Sequence, residues 1–535
     1  MENLIAIFCI FLFSFGLRIP FALEKDTDEW LTYLLLRINR SKKTMDLKIP
    51  RAAVKGEAIM PYPQLSHFFA SRLPQRFEKI GAYFITYASD TIVAVTLFFC
   101  LQHVLTQLGY NHGAAYPISL ASGLSLVSLP ILLPVKARVK AANGRALGFL
   151  FATFYFICLW MTMHVSLWFI LCATVFTFLT ILASKFALQV VFFFTPLMAL
   201  LMAAPILLIP LAIVVLTVLV KPRSIWASIC VDKITHTLRY KIVGSTAEHR
   251  NLFKNFLTYF RLFRSDYRSA ALMLRFWSPL LIALTSIPYV FILLTIPLFP
   301  SANAMVFNDP ILSFSYYLAL SATIVFIITS MGIFRVFGES ERYFEYASPF
   351  VIFFLVGYSA TIYRIGPELP FFMLGLNIAL LVYIHVSTNF PFLDRLTKFD
   401  FSRDKELLTV HRYLSRYENA KVGAIPIKMT YILMGMAAQD NVNTISYYHP
   451  TIATVPVKVT DYKLKKNAFT QPFIFTNDPE WVKKTFGIDT WVEDIAFAEA
   501  NMHEPFVQAL RKYKPAYETE KYRIYRINPA ETNAG

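Results

Sequence analysis

Four acidic side chains, Glu24, Asp26, Asp28 and Glu29, follow closely on the apolar stretch LIAIFCIFLFSFGL. Carboxylates in that position can cap a helix, form a solvated collar or take a proton in catalysis. Asp26, with Glu29 three residues on, makes a capping box, which satisfies amides that a first helical turn leaves without partners. Asp28 is not needed for that box, although the helix dipole also favours an acid there. The cations form a second set. The loop PVKARVKAANGRALG carries Lys136, Arg138, Lys140 and Arg145 and no acid. That is the composition of an ordinary cytoplasmic basic loop, or of a surface that holds phosphate. A divalent ion wants several oxygen ligands, so this loop offers a metal little; no cofactor is certain, and a divalent metal stays possible without support from the sequence. Arg342 stands in FGESERYFEYASPFVIFFL, with Glu339, Glu341 and Glu345 placed for a helix-end salt bridge.

The elements that must position these groups are membrane helices. Of 535 residues, 56% are hydrophobic and 50 are Phe, mean hydropathy is +0.50, and charged residues make up 16%, well under the roughly 25% of soluble domains. Apolar runs long enough to cross a bilayer recur through the first three quarters of the chain. Spans are expected at 3–22, 81–105 and 116–134, three or four within 146–220, and others at 279–299, 314–336, 346–364 and 369–386. That makes about ten to twelve. The first run has no basic n-region and no A-x-A site, and reads as a retained span. Cys9, Cys100, Cys158, Cys172 and Cys230 show no paired spacing and read as packing residues. The net charge of +17 fits contact with anionic lipid or lipid phosphate. No nucleic-acid signature accompanies it.

Between the first two spans, DTDEWLTYLLLRI puts Trp30, Leu31, Leu34, Leu35 and Ile38 on one helical face. After the turn MPYPQ, Leu65, Phe68, Phe69 and Leu73 share one side of a second helix and Gln64, His67 and Ser71 the other. Both helices are too short to span and suit the interface, apolar face toward the acyl chains. The basic stretch 221–276 reads the same way. Past Phe390 the composition changes. There ELLTVHRYLSRY, PEWVKKTFG and EPFVQALRKYK read as helices, and KVGAIPI, TISYY, TVPVKV, PFIFT and YRIYRI as strands. The expected architecture is an α-helical polytopic membrane protein, with residues 1–389 as the transmembrane domain and 390–535 as a small soluble α/β domain. The latter has no Walker loop, G-x-G-x-x-G or His/Cys cluster and reads as a partner-binding or structural cap.

A first span, an acidic cluster just beyond it, interfacial helices and then YPQLSHFFASRLP: this order resembles the C-type glycosyltransferase fold. Those are integral-membrane enzymes that take sugar from a polyprenyl-phosphate carrier. The family has a catalytic acid in its first extracytoplasmic loop, often as Asp-Glu, and often a Tyr-Pro segment before the next helix. Asp28–Glu29 and Tyr62–Pro63 match. Several branches carry an Arg-Tyr pair at the mouth of a late helix, followed by a Pro and an apolar run. Arg342–Tyr343 and Pro349 match. A soluble C-terminal α/β domain is also common there. The likeness covers the whole chain in layout and rests on short motifs whose order carries it. It departs from the pattern after the third span, where some branches have further acids and this chain is basic.

The resemblance implies an inverting hexosyl or pentosyl transfer from a polyprenyl-phosphate donor to a hydroxyl of a glycan, lipid or protein acceptor, on the extracytoplasmic side. Residues 1–389 would be the catalytic domain, in a bacterial inner membrane rather than the endoplasmic reticulum. In such a transfer a carboxylate takes the hydroxyl proton as the oxygen attacks. Asp28 is the first candidate, with Asp26 and Glu29 as alternates. The leaving lipid phosphate gathers negative charge, which preorganised cations stabilise. Arg342 is favoured for its planar fork, followed by Arg138 and Arg145, and Tyr343 could donate to a phosphate or sugar oxygen. Tyr62 and His67 are candidates for the acceptor or the sugar.

Two rival functions stay open. A polytopic transporter or lipid flippase would show inverted repeats or ionisable residues deep within its spans. Asp90 is the clearest such residue, and no repeat is evident. A non-catalytic assembly subunit fits the same hydropathy. A cytoplasmic N-terminus places both the first loop and the basic loop 135–145 outside, against the positive-inside rule. That orientation is retained, because extracytoplasmic cations are expected where an anionic lipid donor is held. It puts the C-terminal domain on the same side as Asp28.

Overall fold

The computed structural model describes residues 2–22, 63–133, 144–231, 278–298, 309–331, 339–364, 366–388, 405–417, 420–426, 429–439 and 477–527, with shorter pieces that include 35–36, 39–40, 48–49, 58–59, 260–266, 337 and 446–447. Asp26, Asp28, Glu29, Tyr62, Lys136, Arg138 and Lys140 lie outside the described residues, as do the strands expected at 454–459 and 472–476 and most of the basic stretch 221–276.

The apolar part of the chain is a helical bundle: α1 (Glu2–Ala22), the short α2 (Leu65–Ala70), α3 (Glu78–Gln107), α4 (His112–Val127), α5 (Arg145–His164), α6 (Phe169–Ala183), α7 (Lys185–Leu201), α8 (Ile209–Val220), α9 (Pro279–Ser286), α10 (Pro310–Thr329), α11 (Arg342–Tyr363) and α12 (Glu368–Thr388). Among the described residues, four stretches are long and apolar enough to cross a membrane by themselves: Ile80–Gln107, Arg145–His164, Pro310–Thr329 and Arg342–Tyr363. Other apolar helices are shorter, and Pro205–Val220 with Ile225–Val231 forms a pair bent by 101°. The chain is an integral membrane protein.

The breaks follow from particular residues. Extended Ser184 ends α6 and caps α7 by accepting the Ala187 amide, and Ala203, at φ 50°, turns the chain before Pro205. The region 146–220 therefore holds four helices. The segment expected as one span at 279–299 is instead α9 followed by a 3₁₀ stretch, Pro288–Leu298. Pro288 and Pro297 have no amide to donate, which disfavours a continuous α-helix.

One apolar core runs through the bundle, from Ile10 and Leu97 to Phe156, Phe194, Phe326 and Phe354. An ion pair is set within it. Arg18 of α1 donates from Nη2 to Asp90 Oδ2 of α3 at 2.8 Å, and from Nη1 to the Ser14 and Val127 carbonyls at 3.0 and 3.2 Å. Asp90, the residue that best fitted a transporter, is thus one half of a buried pair joining α1, α3 and α4.

The C-terminal part is a mixed α/β unit. Its strands β1 (Lys421–Ile425), β2 (Ser446–Tyr447), β3 (Thr490–Asp494), β4 (Pro515–Glu518) and β5 (Tyr522–Arg526) form one sheet in the order β2-β1-β3-β5-β4. Pairs β1/β2 and β1/β3 are parallel, and β3/β5 and β4/β5 antiparallel. Helices α13 (Lys405–Leu414), α14 (Met429–Gln439), α15 (Pro479–Phe486), α16 (Ile495–Ala500) and α17 (Pro505–Leu510) accompany it. Gly423 pairs with Trp491, and a Cβ at Gly423 would lie 2.5 Å from the Trp491 ring, so the indole packs where any side chain would collide. Leu35 of the first loop belongs to this unit's core, with Leu407, Val410, Val422, Val492 and Ile524. Its neighbour Leu36 packs with Ala70 and Ala82 of the bundle. The first loop is therefore held between the two parts, and the C-terminal unit sits at the first-loop end.

Candidate active site

Helix α2 carries the first group. Its residues Gln64, His67 and Ser71 are buried, whereas Phe69 is 50% exposed and continues into an exposed apolar row of Leu73, Phe77, Ile80 and Phe84. The polar side lies toward protein as expected, and Phe69 and Leu73 are outward; Leu65, expected on the same apolar side, is instead buried in the bundle core and Phe68 is half-buried. His67 has Nδ1 3.4 Å from Ser66 Oγ. Burial pushes its pKa down to about 4, so the imidazole is neutral near pH 7.

Helix α5 begins beside it. A Cβ at Gly144 would lie 3.4 Å from Ser66 Oγ and 2.1 Å from the Ala183 carbonyl. Glycine is therefore required where α2, the start of α5 and the end of α6 meet. The next residue is Arg145, which lies within Coulombic reach of Arg342, Glu345, Tyr346 and Glu339. Two cations from segments far apart in the chain thus reach one end of the bundle.

The start of α11 supplies the rest. Arg342 is 24% exposed and pairs through Nε with Glu339, and its guanidinium lies 6.0 Å from the centre of the Phe186 ring. Glu341 and Glu345 are buried. Tyr343 is buried against Phe186, Phe193 and Phe194, and its hydroxyl accepts from Gln189 Nε2, which also donates to the Phe337 carbonyl at 2.8 Å. Ser330 at the end of α10 donates to Ser340 Oγ at 2.7 Å, tying the approach to α11. Among the described residues, no group of three or more His, Cys, Asp or Glu side chains is disposed to hold a metal ion.

Down the same two helices lies an apolar crevice of about 150 Å³, between α3, α5, α10 and α11, lined by residues that include Leu97, Cys100, Ile157, Trp160, Phe314 and Phe350. At 1.5 Å per residue, Phe350 is about 12 Å along α11 from Arg342, and Ile157 about 18 Å along α5 from Arg145. Cations at a membrane face with an apolar crevice beneath suit an amphiphile with an anionic head.

Of the residues singled out from sequence, the structure brings Arg145, Arg342 and His67 to one end of the bundle, with Tyr343 buried behind Arg342. It also shows Gln189 and Asn39, which no motif marks, and Ser66, which the YPQLSHFFASRLP segment contains but does not single out. Gln189 lies in the apolar helix α7, Ser66 in α2 and Asn39 in the first loop, and each is identified by what it bonds or touches across the fold.

No protein-family model matches the chain, and no curated protein is similar to it. Solved structures are. The Archaeoglobus fulgidus oligosaccharyltransferase tethered with an acceptor peptide containing the NVT sequon superposes with a TM-score of 0.50 at 11% identity, over 98% of this chain and 74% of that one. The archaeal oligosaccharyltransferase AglB from Archaeoglobus fulgidus, in complex with an inhibitory peptide and a dolichol-phosphate, gives 0.51 at 10% identity, over the same shares. From the apolar bundle to the C-terminal sheet, the chain has the C-type glycosyltransferase fold, in the form that the archaeal oligosaccharyltransferase displays.

Proposed function

We propose that this chain is a membrane glycosyltransferase. It moves a sugar from a polyprenyl-phosphate donor to an acceptor hydroxyl, with inversion, on the extracytoplasmic face that carries the first loop and the C-terminal unit. The observation that supports this most is the meeting of Arg145, Arg342 and α2 at one end of a bundle with this fold. The acceptor oxygen attacks the anomeric carbon opposite the leaving phosphate. Asp28 takes the hydroxyl proton, with Asp26 and Glu29 as alternates. The bond from the anomeric carbon to the phosphate oxygen breaks, and the lipid phosphate departs with the electron pair. Arg342, with Arg145 and Arg138, stabilises that growing charge. Tyr343 backs Arg342 from the aromatic layer beneath. Tyr62 and His67 face the acceptor or the sugar, and the crevice takes the donor's chain. One solved neighbour holds a dolichol-phosphate and a peptide, so a dolichol-type donor and a peptide or glycan acceptor are the classes to test first.

The test is single-turnover sugar transfer by the purified protein from radiolabelled polyprenyl-phosphate sugars. Asp28→Asn keeps the shape of the side chain and cannot take the proton. Its rate should fall by about a hundredfold to ten-thousandfold, with donor affinity and melting temperature unchanged. Near-normal turnover in that variant passes the role to Asp26 or Glu29. No transfer from any donor by the parent protein ends this reading.

A further inference from the structure

We infer that Asn39, Gln64 and His67 form an uncharged subsite for sugar hydroxyls, apart from the cations that take the phosphate; this rests on the glycosyltransferase reading. Asn39 Nδ2 donates to the Leu35 carbonyl at 2.8 Å and to Gln64 Oε1 at 2.7 Å. Those bonds use both donors of Asn39 and one acceptor site of Gln64. Asn39 Oδ1, Gln64 Nε2 and His67 Nε2 are buried with no hydrogen-bond partner. A buried polar atom left so costs about 1–3 kcal/mol, and native proteins supply such atoms with a protein group, a water or a ligand. Three of them on neighbouring side chains point to a ligand.

The chemistry of the three atoms selects its class. Asn39 Oδ1 accepts, Gln64 Nε2 donates, and the imidazole nitrogen does either according to its tautomer. A hydroxyl both donates and accepts, so vicinal hydroxyls match the set. Turning both amides over would still leave one donor and one acceptor. Neutral groups suit a neutral ligand, since an anion is served better at Arg145 and Arg342. The position is also fixed from two sides: Leu35 is anchored in the C-terminal core and Leu36 against Ala70 and Ala82. The three atoms are closed to bulk water here, so a saccharide reaches them only if Asn39 and the polar side of α2 move apart.

The test is saturation-transfer NMR on the full-length protein in detergent, titrated with methyl glycosides of mannose, glucose and galactose. The comparison protein is Asn39→Leu/Gln64→Met, in which both bonded amides become apolar groups of similar size, a change that is often nearly neutral for stability. Gln107→Leu, at the far end of α3, is the control. The parent and the control should bind one or more glycosides, and the double variant should melt near the parent temperature with affinity lower by about tenfold, the size of one hydrogen bond. If the double variant fails to fold, Gln64→Met alone is read in the same way. Binding that the variants leave unchanged overturns the subsite. So does the lack of any glycoside contact in the parent, which would mean that buried water alone fills the cluster. Sugar transfer by the parent, measured alongside, separates the two ideas: transfer with variant-insensitive glycoside binding removes the subsite and keeps the enzyme reading, and variant-sensitive binding without transfer does the reverse.

Discussion

Arg18 in the bundle and His67 at its end are both buried, yet the protein treats them differently. All three guanidinium nitrogens of Arg18 donate, to Asp90, to Ser14 and to the Val127 carbonyl. The group is complete within the protein. In the first loop, Asn39 donates to Gln64 and His67 Nδ1 lies beside Ser66 Oγ, while Asn39 Oδ1, Gln64 Nε2 and His67 Nε2 have no partners. The physical difference is charge. An unpaired ion in hydrocarbon is too costly to leave, whereas a neutral amide or imidazole costs a few kcal/mol at most. The buried ion pair therefore reads as structure, whereas the neutral cluster at the end of the bundle is the one proposed above to take a ligand.

The largest effect should come from breaking the matched group. Asp90→Ala leaves a buried guanidinium without its anion and should destabilise the protein by about 3–5 kcal/mol, read by thermal or denaturant unfolding in a fixed detergent. Arg18→Met/Asp90→Leu removes both charges and should recover most of that loss. If Asp90→Ala unfolds like the parent, the pair is not structural and the transporter reading regains its best residue.

Next is the pH response of the unmatched group. His67 has its pKa lowered from 6.5 to about 4 by burial. Between those values the unfolded chain binds a proton that the folded chain does not. The contribution is therefore fully present above pH 6.5 and lost as pH falls to about 4. At 1.36 kcal/mol per pKa unit, the loss is about 3 kcal/mol. Melting between pH 7 and pH 4.5 should flatten in His67→Gln by roughly that amount. Equal slopes in both proteins would mean that His67 is hydrated and protonates freely.

Arg342 lies between the two extremes and should give the smallest effect. It is partly exposed and paired with Glu339 one turn away, a contact worth about 0–1 kcal/mol to stability. Arg342→Ala should hardly change melting, yet weaken donor binding by about 1.5–3 kcal/mol, the size of a charge-assisted hydrogen bond. Arg342→Lys should recover part of this, because an ammonium lacks the bidentate fork. Unchanged donor affinity in both variants would make Arg342 a helix-end ion pair and nothing more.

The sequence was most legible where hydropathy or periodicity acts alone. The first helix, the long helices 80–107, 310–329 and 342–363, and the polar side of α2 follow from which residues are apolar and at what spacing, whereas hydropathy left three or four helices open within 146–220. It was least legible where a partner decides. Neither β3 nor α14 has a clear period. TWVED holds an acid, Asp494, that caps α16 through the Phe497 amide, and the strand forms because Trp491 packs over Gly423 and Val492 lies between Ala424 and Ile524. The helix break at Ser286–Pro288 was written in the sequence as a proline and hidden by the apolar run around it.

By itself, the sequence determined that this chain enters a membrane, that a mixed α/β region follows the apolar part, and that the acidic cluster after the first apolar run and the basic residues around 136–145 stand between apolar segments. Each of these depends on local composition, which is all that a chain shows before it folds. Tertiary structure decided the rest. It brought Arg145 and Arg342 within reach of each other and placed Ser66 against Gly144. It buried the polar face of α2 and held the first loop between Leu35's core and Leu36's. Such facts depend on the close approach of segments from a few tens to several hundred residues apart, and no local pattern encodes which distant side chain fills the space beside a given one.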